Sequence, residues 1–168
     1  MTTEYTTIPS PIGELVAASN GRELTGLYTP GHRARPPADS FARRGALFDE
    51  LERQLALYFA CKLTAFDVPL ALYGTAFQRR VWSALCRIPY GATVTYGELA
   101  REVANASAAR AVGAANAKNP ISIIVPCHRV IASDGDLRGY AGGIKRKQWL
   151  VQHETHSSFP VRVPVLDS

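Results

Sequence analysis

The chain has 168 residues and only three thiols, Cys61, Cys86 and Cys127, and the last of these stands where it can do chemistry. It sits in the string Pro126-Cys127-His128-Arg129. A neighbouring imidazole can take a thiol proton, directly or through water, and the thiolate is the nucleophile. Pro126 fixes the approach of the chain, and a third group must orient the imidazole. Glu154, ending a helix expected from Lys145 to His153, is an available acid. Cys61 and Cys86 lack such a context and read as inert thiols that pack like small hydrophobes. An odd cysteine count without a C-x-x-C pair fits neither a disulfide framework nor a zinc knuckle. His32, His153 and His156 read as exposed, solvated histidines. The glycines between Gly135 and Gly143 lack the G-x-x-x-x-G-K-[ST] pattern of a phosphate loop.

Such a nucleophile needs elements to hold it. Ile121 to Val125 reads as a buried extended segment that delivers Cys127 to the mouth of a turn, and Asn119-Pro120 ends the preceding helix. That helix is expected over Ala108 to Lys118. A shorter one starting after Thr95 precedes it, and a turn through Asn105 to Ser107 joins the two, as in a helix-turn-helix. The second helix is rich in Ala and Gly, with Arg110 its only charge before Lys118. Small side chains allow close approach to a DNA minor groove, and equally to another helix. Upstream, Thr75 is an N-cap, and Phe77, Val81 and Leu85, with Trp82 beside them, mark the buried face of a helix ending before Pro89.

The N-terminal half reads as a small antiparallel sheet with one helix. Tyr5 to Ile8, Glu14 to Ala18 and Leu24 to Tyr28 are strand-like, with Asn20-Gly21 turning the last two. Residues Thr29 to Asp39 have no periodicity and read as a loop. Leu47, Leu51, Leu55 and Tyr58 recur at helical spacing within Phe41 to Phe59. Phe66 to Leu72 alternates and is expected to return to the sheet as a strand. A boundary near Tyr73 gives domains over 1–72 and 73–168.

Apolar types make up 46% of the chain and charged types 20%, which excludes a disordered polymer. The N-terminus has no secretory leader pattern and no apolar run is long enough to cross a bilayer, so a cytoplasmic protein is expected. Residues 1–72 carry seven basic and eight acidic side chains, and residues 73–168 carry twelve and six. All of the net charge of +5 is therefore C-terminal, which suits a polyanionic partner.

Val125-Pro126-Cys127-His128-Arg129-Val130, with Asn119-Pro120 before it and Gly139-Tyr140-Ala141-Gly142-Gly143 after it, closely resembles the O6-alkylguanine-DNA alkyltransferases. The likeness extends through Ile88-Pro89-Tyr90-Gly91, Thr95-Tyr96-Gly97 and Lys147-Gln148-Trp149-Leu150 to Glu154. More loosely, it includes Ser10-Pro11-Ile12-Gly13 and Tyr58-Phe59. It implies an α/β protein: a ribonuclease-H-like N-terminal sheet and helix, then a mostly helical, winged-helix-like domain carrying the helix-turn-helix.

The resemblance also implies roles. Cys127 displaces an alkyl group from O6 of guanine, and O4 of thymine is a second acceptable donor. His128 acts as a base through water, and Glu154 holds its tautomer. Tyr96 assists the leaving purine at N3. The carbonyls of Cys127 and Val130 read the exocyclic amine, and Tyr140 with Ala141 closes on the base. Ala141 replaces a serine found in relatives, so a hydroxyl contact to O6 is absent. Arg110 fills the space left by the flipped base, and Ala109 and Gly113 lie on the same helix against DNA. Asn119 ties that helix to the reactive turn, which Pro126 and Arg129 brace. No metal, nucleotide or redox cofactor is implied. The expected partner is duplex DNA, bound by a monomer or cooperatively. The rival readings are a module that binds alkylated DNA without repairing it, which the presence of Cys127 opposes, and a Cys-His thiol hydrolase.

Overall fold

Asn20 and Gly21 turn the chain between two apolar runs, and the runs pair on either side of them. In the computed structural model, which describes residues 3–37, 45–137 and 139–156, β1 (Glu4–Ile8), β2 (Leu15–Ser19) and β3 (Leu24–Tyr28) form an antiparallel sheet in that order. Asn20 Oδ1 accepts the main-chain N–H groups of Arg22 and Glu23, so the turn is an Asx-type loop of four residues rather than two. The central strand β2 is buried throughout. Phe48, Leu51, Leu55 and Tyr58 of α1 (Ala46–Phe59) supply the helix's buried face. The expected start of this helix, residues 41–44, lies outside the described residues.

The free edge of β3 is divided between two segments. The Leu24 N–H donates to Pro69 O (2.8 Å) and the Ala71 N–H to Leu24 O (2.9 Å), a single parallel bridge. The strand expected over Phe66 to Leu72 therefore does not form. Pro69 has no N–H to extend the ladder towards Arg22, and further along β3 the partner changes. There the Leu27 N–H donates to Pro120 O (2.8 Å) and the Ser122 N–H to Leu27 O (3.0 Å). The sheet is thus bonded to the segment that leads to the Cys127 turn.

In the C-terminal half, Thr75 caps α2 (Ala76–Leu85) and Thr95 caps α3 (Tyr96–Val103). Each makes a reciprocal capping box, with Gln78 and Glu98 respectively. A short 3₁₀ turn at Ala106–Ala108, opened by the Asn105 side chain, leads into α4 (Ala109–Ala117). Trp82 of α2 is buried and its indole Nε1 donates to Ala115 O (2.9 Å), which fixes the inner side of α4. Val94 and Thr95 form β4, which pairs in parallel with β5 (Val130–Ile131). Two-residue strands leave no periodic trace in a sequence. The chain closes with α5 (Ile144–Thr155). No described helix is long and apolar enough to cross a membrane.

Candidate active site

The segment before Cys127 is the clearest departure from expectation. Ile121 makes one bridge to Leu27 and the chain then turns, with the Val125 N–H donating to Ile121 O (3.0 Å) and Ile123 in the left-handed region at φ 74°. That conformation is costly for a β-branched residue and persists only where its surroundings over-determine it. Asn119 does so. Its Oδ1 accepts the Ile121 N–H (3.0 Å), and its Nδ2 donates to Val125 O (2.7 Å) and Ile121 O (3.3 Å). The turn is wound around one buried amide, so no extended segment is needed to deliver the cysteine.

Cys127, His128 and Arg129 form a 3₁₀ turn after Pro126, and all three side chains are buried. The His128 Nε2 lies 2.8 Å from Glu154 Oε2. Arg129 forks onto the same carboxylate, with Nε 2.8 Å from Oε1 and Nη2 3.0 Å from Oε2, and its Nη1 donates to Ile88 O. Burial pushes the Glu154 carboxyl up, but His128 and Arg129 hold it well below the usual carboxylate range. An ionised carboxylate only accepts, so Nε2 carries the histidine proton and Nδ1 presents its lone pair. Nδ1 is buried without a hydrogen-bond partner among the described residues. Burial also lowers the His128 pKa, more strongly than Glu154 raises it, leaving a neutral ring. The thiol is protonated at rest: burial drives Cys127 up to about 11, against smaller opposing effects of an Asn119 hydrogen bond and the Lys147 charge.

Two residues to which the sequence reading gives no role hold main-chain oxygens here. Asn116, on the inner side of α4, donates to Cys127 O (3.3 Å), an oxygen that also accepts the Val130 N–H. Lys147 of α5 is buried, donates its ammonium to Val130 O, and lies 5.8 Å from the centre of the Tyr96 ring. Burial lowers the Lys147 pKa to about 8. A lysine and an asparagine at helical positions look like surface residues, and only the fold turns them inward. Tyr58, read as core, is the third omission: its hydroxyl donates to Glu154 Oε2 at 2.6 Å.

The remaining sequence-derived candidates fall into two groups. Tyr96 opens α3, and its hydroxyl lies so near Gly139 that a Cβ there would approach it to 2.7 Å; Gly139 also has φ +86°. Tyr140 is buried and Ala141 half-buried beside this glycine. Arg110 is exposed on the outer side of α4, with Ala109 and Gly113 half-buried on the same helix. A cleft of about 720 Å³ runs between the loop at Gly31–Ala34, the C-terminal end of α4 and Gly139–Ala141. His32 lines it and is buried rather than solvated, because its Nε2 donates to Asn119 O (3.1 Å) and its Nδ1 accepts the Ala34 N–H (3.1 Å). His153 is half-buried: it stacks on Trp149 at 4.8 Å and donates from Nε2 to Tyr58 O at 2.8 Å. Cys86, in contrast, is exposed and Cys61 half-buried, so neither is a packed core thiol. No group of three or more His, Cys, Asp or Glu suited to a metal occurs among the described residues.

A buried thiol next to a histidine oriented by a carboxylate, on a chain that carries a helix-turn-helix, is the arrangement of a protein that could use a cysteine as a nucleophile. The chain belongs to the 6-O-methylguanine DNA methyltransferase family: the family's DNA-binding domain matches residues 76–156 and its ribonuclease-like domain residues 4–72. The methylated-DNA–protein-cysteine methyltransferase of Mycobacterium leprae is 50% identical over 147 residues, 88% of this chain and 89% of the relative. That of Methanosarcina acetivorans is 47% identical over 151 residues, 89% and 97% of the two chains. The crystal structure of the Mycobacterium tuberculosis O6-methylguanine methyltransferase superposes with a TM-score of 0.87 at 48% identity, covering 95% of this chain and 97% of that one. The M. tuberculosis protein in complex with DNA gives 0.84 at 50% identity, covering 91% and 93%. The α/β fold expected from the sequence, a small N-terminal sheet followed by a mostly helical part, is the one observed.

Proposed function

We propose that the protein repairs DNA by moving a methyl or larger alkyl group from O6 of guanine, and from O4 of thymine, to Cys127. The observation that carries this reading is the Cys127–His128–Glu154 arrangement on a turn locked by Asn119, in a chain half identical to named methylated-DNA–protein-cysteine methyltransferases. His128 Nδ1 takes the thiol proton through a water. Cys127 Sγ attacks the alkyl carbon, the S–C bond forms as the C–O bond breaks, and the electron pair passes to guanine. Tyr96 donates a hydrogen bond to N3 as charge builds on the purine. A thioether has no good leaving group, so each molecule acts once.

Duplex DNA is the partner, and the O6-alkylated base is its recognised feature. Ala109 and Gly113 let α4 lie close in the minor groove, and Arg110 replaces the base that leaves the stack, at a cost of a few kcal/mol for unstacking. Tyr140 and the Ala141 amide close on the extruded base, whose exocyclic amine meets the carbonyls of Cys127 and Val130. The Asn116 and Val130 bonds already on Cys127 O must rearrange or share that oxygen. Asn119, Arg129 and Pro126 brace the turn. Residues 1–72 and 73–168 act as two domains, and the protein works as a monomer, loading cooperatively where sites adjoin. Three free thiols suit the reducing cytoplasm, and DNA binding places the protein on the nucleoid.

The test is a duplex carrying O6-methylguanine and the mass of the Cys127 peptide. One added methyl, guanine restored, and no more than one event per protein is the expected result. Binding without modification overturns the repair reading in favour of a damage-binding module. Turnover with guanine untouched points to a hydrolase.

A further inference from the structure

Tyr58 reaches the reactive centre from the other half of the chain. It lies in the last turn of α1 and is fully buried, with its ring against those of Phe59, Phe66, Tyr90 and His153. Both ends of the residue are bonded to α5. Its hydroxyl donates to Glu154 Oε2 at 2.6 Å, and its carbonyl accepts from His153 Nε2 at 2.8 Å. The bond to Glu154 is the shortest of the four made to that carboxylate by protein donors, and it falls on the oxygen that faces His128.

We propose that Tyr58 is a positioning residue for the transfer reaction, which lets the N-terminal half set, through Glu154, how readily His128 accepts the thiol proton. The proposal rests on the alkyl-transfer reading above. A phenol bonded to a carboxylate is a charge-assisted donor and draws negative charge from the oxygen it meets. The less charge Oε2 keeps, the less it stabilises an imidazolium at His128. A carboxylate without that donor would hold the ring protonated to higher pH and leave fewer molecules with a free Nδ1. The other titratable or charged groups around the pair are Arg129 and Cys127 of the reactive turn, Lys147 and His153 of α5, Tyr90 before β4 and Tyr140 before α5. Among the described residues, Tyr58 is the one neutral group donating to this carboxylate from the N-terminal half.

The experiment measures single-turnover methylation of Cys127 by a duplex containing O6-methylguanine, from about pH 5 to about pH 9, where an imidazole base titrates. In Tyr58→Phe the acid limb moves to higher pH by about half a unit or more, so that the rate falls by up to about three-fold on the acid side of the limb and little near pH 8. In the Glu154→Gln background the same substitution moves the limb no further. Replacing Tyr58 by 3-fluorotyrosine keeps the ring and makes a stronger donor, and moves the limb to lower pH, so the idea stays testable if the phenylalanine variant folds poorly. A uniform loss of rate with an unmoved limb in either variant overturns the proposal, as does a shift that persists without Glu154. If the unsubstituted protein takes up no methyl group, the alkyl-transfer reading fails first, and this result is separate from the other two.

Discussion

His32 Nε2 donates to the main-chain oxygen of Asn119 across 3.1 Å, joining the loop after β3 to the residue around which the reactive turn is wound. The ring's other nitrogen accepts the Ala34 N–H, so the neutral tautomer is fixed at both ends. Burial lowers the His32 pKa and keeps that form. His32→Ala leaves a buried carbonyl without its donor and is expected to cost about 1–3 kcal/mol in unfolding free energy. Chemical denaturation of the variant checks this. An unchanged midpoint would show that the loop does not hold Asn119.

Asn119 itself makes three bonds within the turn, to both main-chain groups of Ile121 and to Val125 O. Asn119→Ala should lower stability by about 3 kcal/mol or more and slow transfer beyond what the lost stability explains, since Ile123 is then free to leave its left-handed conformation. Melting curves and single-turnover rates taken together separate the two effects. A variant as stable as the parent contradicts the account of the turn.

Cys127→Ser should abolish transfer, because an alcohol is far harder to ionise than a thiol, while DNA affinity stays within about two-fold of the parent. Arg110→Ala should behave in the opposite way. Its affinity for duplex drops and its rate on alkylated duplex falls about ten-fold or more, whereas the reaction of Cys127 with a free O6-alkylguanine base is unaffected. Fluorescence anisotropy and the two rates distinguish them. Equal losses on duplex and free base would move Arg110 from base extrusion to support of the site.

Acid should destabilise the fold from two directions with the same sign. His128 and Glu154 have folded-state pKa values below their ordinary 6.5 and 4.5, so over the intervals below those values the unfolded chain binds more protons. The stability due to Glu154 is present above about 4.5 and lost as pH falls towards its folded value. The cost of charging His128 begins below about 6.5. Tm measured downward from neutral pH should fall in two stages. A Tm that is flat to pH 5 would show His128 taking up a proton without loss of structure.

Much of this was legible in the sequence. Thr75 and Thr95 announce their helices because capping is local chemistry, and Asn20-Gly21 marks a reversal for the same reason. Cys127, His128 and Glu154 were legible as residue types, and the structure brings His128 and Glu154 together. What was hidden depends on contacts between distant parts of the chain. Ile121 to Val125 is apolar and β-branched and reads as a strand, yet the Asn119 side chain outcompetes a ladder for its main-chain groups. Phe66 to Leu72 alternates correctly, but Pro69 and the claim of Pro120 and Ser122 on the same edge limit it to one bridge. Tyr58 and Lys147 stand in motifs that the sequence shows, but their polar contacts, like that of Asn116, are visible only once the partner is in place.

The high pKa of the buried Cys127 has a consequence for how long the protein lasts. Burial holds the Cys127 thiol in its protonated form at neutral pH, and peroxides and stray electrophiles react with the ionised form. An ordinary enzyme that loses a molecule to such an accident loses a small part of its capacity. A protein that acts once is a stored reagent, and each wasted thiol is a lesion left in the genome. Burial that keeps the sulfur protonated until a damaged base arrives gives such a reagent a shelf life.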